Sequence, residues 1–249
     1  MLLVQAQQAR DMEIATYEPS NGLRLLTRNE IPDKHPAWSP DGRRVVFASH
    51  RHGSWDLFTM AADGSDVRGL TAGDANEEWP AWSPDGSRIA YASRPQGSSS
   101  IWTVTPDGMD ARQLTPGLAS DVTPTWSPDG RQIAFTTNRD GNDEVYLMNV
   151  DGSDARNITS HADHDRDPVW SPGGRFICFS SLRDGGSELY ALETATGAVT
   201  RLTYSPGTDS EPRWSADGTT IVYVSNREGV DRVYRLRLHD PGAGLLAME

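Results

Sequence analysis

The chain has 249 residues, a formal charge of −12 and one cysteine. The acidic balance argues against nucleic acid, which calls for basic footprints, and suits a basic partner, a cation or plain solubility. No stretch approaches 18 apolar residues, so no membrane insertion is expected, and a lone Cys178 rules out an intrachain disulfide.

The first residues carry short strand-like runs. Met1 to Arg10 has an apolar stretch without a basic start and does not read as a signal peptide. Leu2-Leu-Val4, Met12 to Tyr17 and Asn21 to Thr27 can be laid on the second, third and fourth strands of the units that follow. From Trp38 a strict period takes over. WSPDG stands at Trp38, Trp82 and Trp126, with WSPGG at Trp170 and WSADG at Trp214, each step 44 residues. A period of this length with short strands and Pro/Gly turns reads as propeller blades. In one unit, Pro80–Ser83 is a first strand and Pro84-Asp-Gly86 a turn. Arg88–Ser93 is the second strand, Ser100–Val104 the third, and Pro106-Asp-Gly108 turns into a fourth at Ala111–Thr115. The expected fold is therefore all-β: a propeller of four-stranded antiparallel blades. A partial blade lies at residues 1–28, with full blades at about 33–71, 77–115, 121–159, 165–203 and 209–247. The count favours six blades in one domain, 1–249; five blades with a stray N-terminal ribbon is the alternative. The missing first strand leaves an edge that must be covered or continued.

Aromatic residues recur in phase. Phe47, Tyr91, Phe135, Phe179 and Tyr223 mark the second strands; Phe58, Trp102, Tyr146, Tyr190 and Tyr234 mark the third. These are expected to be core. Cys178 takes the phase of Val46, Ala90, Ala134 and Val222 and reads as a small buried hydrophobe.

Strand alternation puts the link between blades and the loop between strands two and three on one face. Each link reads acid-x-x-Pro, with the acids Asp33, Glu77, Asp121, Asp165 and Asp209 just ahead of the innermost strand. A ring of carboxylates around one channel mouth is expected, either forming turns or attracting cations. Arg51, Arg139, Arg183 and Arg227 fall in register in the neighbouring loop, and Pro95 breaks the series. They are read as inter-blade ion pairs or as grips for a partner's carboxylates. His35, His50, His52, His161 and His164 share the face. His161, His164 and Asp165 are weak candidates for a divalent cation site; otherwise no cofactor is expected.

The unit acid-x-x-Pro-x-WSPDG, strand, Ser-x-Arg-x-Gly, strand, Asp-Gly, Leu-Thr resembles the repeat of TolB-like β-propellers. The Leu-Thr pairs begin at Leu26, Leu70, Leu114 and Leu202, with Ile158-Thr159 standing in. The resemblance implies a non-catalytic, periplasmic or exported platform for protein partners, a cytoplasmic location being the alternative. The docking residues would be the five acids, the four arginines and His35 on the acidic face, with a protein or peptide as partner. Related propellers gate serine peptidases of the prolyl oligopeptidase kind, and others are lyases. An accessory peptidase propeller and a metal-assisted lyase or hydrolase are thus the alternatives. No G-x-S-x-G nucleophile elbow is present.

Overall fold

A computed structural model describes residues 2–8, 11–18, 20–95, 97–239 and 246–248. Among them every regular element is a strand. The first sheet holds β1 (Leu2–Gln8), β2 (Asp11–Glu18) and β3 (Gly22–Leu25). Five four-stranded sheets follow. The second is β4 (Asp33–Trp38), β5 (Arg44–Ser49), β6 (Asp56–Ala61) and β7 (Arg68–Gly69). The third is β8 (Asn76–Trp82), β9 (Ile89–Arg94), β10 (Ser100–Val104) and β11 (Arg112–Gln113). The fourth is β12 (Asp121–Trp126), β13 (Gln132–Thr137), β14 (Glu144–Asn149) and β15 (Arg156–Asn157). The fifth is β16 (Asp165–Trp170), β17 (Phe176–Ser181), β18 (Glu188–Glu193) and β19 (Val199–Arg201). The sixth is β20 (Asp209–Trp214), β21 (Thr220–Ser225), β22 (Arg232–His239) and β23 (Leu246–Met248). Strands pair in sequence order within each sheet, so the six sheets are the blades of a β-propeller. The N-terminal strands form a blade of their own rather than a stray ribbon. Within the last blade expected at about 209–247, residues 240–245 lie outside the described residues.

The chain divides into two compact units, Met1–Pro124 and Thr125–Glu249. In the first, β4 packs on β1 and β2, and β8 packs on β4, β5 and β6. In the second, β16 packs on β13 and β14, and β20 on β16, β17 and β18.

The period-2 alternation of each second strand serves two cores at once. Val45 and Phe47 pack toward Ile14 and Leu26 of blade one, while Val46 and Ala48 pack toward Ile89, Tyr91 and Val104 of blade three. In the second unit, Ile177 and Phe179 meet Ala134 and Val145, while Cys178 meets Ile221 and Tyr223. Phe47, Phe135 and Phe179 are fully buried, each worth roughly 1.5–3 kcal/mol relative to exposure. Directly opposed rings, Phe47 with Phe58 and Phe179 with Tyr190, lie 6.0 and 5.9 Å apart. Cys178 is buried as expected, and burial pushes its thiol well above the ordinary range.

The WSPDG turn is a compact hydrogen-bond device. Ser39 Oγ donates to Asp41 Oδ1 (2.6 Å), the same carboxylate accepts from the Arg43 amide (3.0 Å), and Arg44 N donates to Ser39 Oγ (2.9 Å). The pattern repeats at Ser83, Ser127 and Ser215. The serine hydroxyl bond leads in holding Asp41, Asp85, Asp129 and Asp217 below the usual carboxylate range, Asp217 at about 2. At blade five the acid is Gly173, and only the Phe176 amide bond to Ser171 Oγ survives. Nothing crowds Gly173. Gly173→Asp should therefore stabilise by about 0.5–1 kcal/mol, by restoring the acceptor and stiffening the unfolded chain. Urea denaturation checks this, and the gain should disappear in Gly173→Asp/Ser171→Ala.

Candidate functional site

The first strand of each blade, called here the entry strand, begins at the repeat acid. It pairs antiparallel with the end of the second strand: Asp33 opposite Ser49, Glu77 opposite Ser93, Asp165 opposite Ser181 and Asp209 opposite Ser225. An arginine two residues past that serine folds back onto its own blade. Arg51 donates from Nε to Ser49 Oγ (2.8 Å) and from Nη2 to Asp33 Oδ1 (3.2 Å). Arg183 makes the same pair with Ser181 (2.9 Å) and Asp165 (2.8 Å). Arg227 does so with Ser225 (3.0 Å) and Asp209 (3.3 Å), and Arg139 Nε donates to Thr137 Oγ1 (3.1 Å). Each guanidinium also lies over the aromatic ring of its third strand: Arg51 at 4.3 Å from Phe58, Arg139 at 4.7 Å from Tyr146, Arg183 at 4.8 Å from Tyr190 and Arg227 at 4.3 Å from Tyr234.

The ion-pair expectation changes. Asp33, Asp121, Asp165 and Asp209 are buried, which suits the frame-forming alternative for the repeat acids. For Arg51, Arg183 and Arg227 the ion pair lies within one blade rather than between blades. The antiparallel register sets each acid opposite the serine, and the arginine two residues on folds back to that acid. A second buried frame explains the Leu-Thr pairs. Thr27 Oγ1 accepts from the Ile14 amide (2.9 Å) and donates to Glu13, and Thr203 does the same for Leu189 and Glu188.

The histidines are dispersed. His161 and His164 each accept a backbone amide at Nδ1, from Asp163 and Asp143 (3.1 Å each). The Asp165 carboxylate is turned inward to Arg183. His161, His164 and Asp165 therefore do not converge, and among the described residues no group of three His, Cys, Asp or Glu is placed to hold a metal ion. His52 faces Asp56 (3.4 Å), and His50 packs edge-on against Trp55.

A feature not legible in the sequence lies between each acid and its proline. His35, Trp79, Thr123, Asp167 and Glu211 have φ of 52, 53, 49, 54 and 52°. They are spaced at the repeat period, and each precedes proline, where the left-handed region is disfavoured; for a β-branched threonine it is a rare conformation. The strand registers slip at the same point, a β-bulge, in blades two, three, five and six. Of these residues only His35 was singled out by sequence. The sequence offered a variable position inside an invariant acid-x-x-Pro frame, which marks the place but not its positive φ. In the first unit His35 stacks on Trp79 (4.9 Å), and Lys34 bonds Glu78 (2.9 Å). In the second unit Glu211 is exposed, and the Asp167 amide donates to Thr136 Oγ1 (3.2 Å). Burial leads in raising the Asp167 carboxyl above its ordinary value, opposed by Arg213.

Glu77 is the exception among the acids. Its blade has Pro95 where the arginine belongs, and burial leads in raising its carboxyl from 4.5 to about 7, opposed by the Thr71 and Ser93 hydroxyls. The folded chain thus keeps a proton that the unfolded chain releases as pH rises from about 4.5 to about 7, and stability falls over that window. Glu77→Gln should flatten this slope and be more stable than the parent by about 2 kcal/mol at pH 8, with the difference gone below pH 4.5. Urea titrations at both pH values test this.

The sequence profile of the TolB beta propeller domain family matches residues 74–180 and 159–249. TolB from Acinetobacter baumannii superposes with a TM-score of 0.81 at 18% identity, over 91% of this chain and 57% of that one. A protein assigned as TolB from Agrobacterium tumefaciens gives 0.77 at 25% identity, over 92% and 84%. A puromycin-hydrolyzing peptidase from Mycobacterium tuberculosis gives 0.70 at 15% identity, over 98% and 44%. The chain thus spans little more than half of the Acinetobacter TolB and under half of the peptidase. With the profile covering residues 74 to 249 and six antiparallel blades in the structure, the chain belongs to the TolB beta propeller domain family.

Proposed function

We propose that this propeller is a non-catalytic scaffold that binds a protein or peptide through the entry-strand ends of its blades. One observation carries the reading. Five equivalent residues, each different, are held in a left-handed conformation before proline by an otherwise repeated frame. Backbone strain of this kind costs of order 1–3 kcal/mol per site and gathers where function requires it. Exposed Leu118 and Tyr204, on the links of blades three and five, add apolar contact area beside the same strands. The buried acids and arginines hold the strands; the bulge residues meet the partner. The family likeness further supports export, to the periplasm in a bacterial host, which cell fractionation tests.

Glycine adopts positive φ without strain, so Thr123→Gly/Asp167→Gly/Glu211→Gly removes three side chains and relieves three strained sites. The triple variant should melt no lower than the parent and lose capture of partners from its native cell extract. Undiminished capture would contradict the reading. Reversing Asp121, Asp165 and Asp209 to lysine should instead unfold the protein, because those carboxylates are interior.

The second reading is an accessory propeller of a peptidase, favoured by the superposition over 98% of this chain with the puromycin-hydrolyzing enzyme. In that case the catalytic groups would belong to another part of the protein.

A further inference from the structure

A cleft of about 550 Å³ opens in the first unit, between blades two and three. Glu77, Ser93, Tyr91 and Trp102 line it, with Thr71 and His52 from the blade before. The first four are the repeat equivalents of Asp33, Ser49, Phe47 and Phe58, the groups around the Arg51 guanidinium. Pro95 stands one repeat after Arg51 and supplies no side chain to that place. The cleft is the arginine slot of blade three without its arginine.

What remains in the slot is unbalanced. Among the described residues, buried Glu77 Oε2 has no hydrogen-bond partner, and neither does Trp102 Nε1. Asp56, itself buried and with Oδ1 unpartnered, adds a second carboxylate whose charge acts on Glu77. A buried carboxylate oxygen without a donor is costly, and in four other blades a planar cation occupies the corresponding place. The third-strand ring here is Trp rather than Phe or Tyr, the best aromatic face for a cation.

We propose that this cleft binds a guanidinium group presented by a ligand, which takes the position that the blade's own arginine occupies elsewhere. Its nitrogens reach the Glu77 carboxylate and the Ser93 hydroxyl, and its plane lies over Trp102. The volume exceeds what a guanidinium fills and accommodates an arginine residue with its stem. Trp102 Nε1–H is a donor left for a carbonyl of the same ligand. Ammonium is the poorer fit, because it lacks the planar fork that matches hydroxyl, carboxylate and ring together. The site uses none of the bulge residues, so it stands or falls apart from the docking reading.

Calorimetric titration of the full chain at pH 8 with N-acetyl-arginine amide, free L-arginine and N-acetyl-lysine amide tests the site. The arginine probes should saturate one site and bind at least about fivefold tighter than the lysine probe. Tighter binding of the capped amide assigns the site to an arginine of a peptide or protein; tighter binding of the free amino acid assigns it to a small molecule. Glu77→Gln should weaken binding at least about tenfold. Pro95→Arg should abolish it, since the restored side chain fills the slot, and should raise the melting temperature. If Pro95→Arg does not fold, the Glu77→Gln titration decides alone. Absence of saturable arginine binding, or affinity unchanged by Glu77→Gln, would overturn the proposal.

Discussion

Replacing Arg183 with alanine should lower the unfolding free energy by about 3–5 kcal/mol, the range for removing one partner of a buried ion pair. Asp165 has no exposed surface, its partner is mostly covered, and their contact is 2.8 Å. The same substitution removes the hydrogen bond to Ser181 and the stack on Tyr190. What is lost is chiefly the compensation of a carboxylate held out of water, rather than the ion pair's own attraction. Arg183→Met/Asp165→Asn should therefore recover much of the loss, because it leaves no uncompensated charge. Urea denaturation of the single and double variants measures both. A loss below about 1 kcal/mol for the single variant would mean that the pair behaves as an exposed one.

The second large effect is expected at Gly64. Its φ is +90°, and a Cβ there would lie 2.5 Å from the Leu26 carbonyl oxygen, a backbone atom of the preceding blade. Gly108 repeats the contact with Leu70 at 2.6 Å and φ of +82°. Alanine at Gly64 must both enter the left-handed region and push two blades apart, and should cost about 2–4 kcal/mol. Gly42 has a similar φ of +69° with nothing nearby, so Gly42→Ala isolates the conformational part at about 1–2 kcal/mol. Equal losses at the two positions would show that the close approach between blades contributes nothing.

Much of this fold was legible in the chain. The 44-residue period set the strands, and the aromatic phase of Phe47 and Phe58 marked the core, because a period-2 strand between two neighbours must be apolar on both faces. The Asp-Gly turns were visible as turns. Their second role, letting Gly64 lie against Leu26, was not, because it depends on how one blade meets another. The repeat acids and arginines were found, but their direction was misjudged: a two-residue offset past an antiparallel pair folds Arg51 back to Asp33 of its own blade. The bulge residues were hidden for a different reason. Backbone at positive φ is expected of glycine, and nothing in His, Trp, Thr, Asp or Glu announces it. Pro95 stood out in the sequence as a broken register, but the cleft it leaves appears only when Glu77, Ser93 and Trp102 are seen around it.

Hydrogen–deuterium exchange on the full chain, with and without a peptide selected against it from a display library, tests most directly the division between a repeated interior frame and variable contact residues. Slowed exchange should concentrate at residues 34–35, 78–79, 122–123, 166–167 and 210–211, the strained positions and the residue before each. Protection confined to the Pro-Asp-Gly turns at Asp41, Asp85 and Asp129, with the entry strands unchanged, would contradict it.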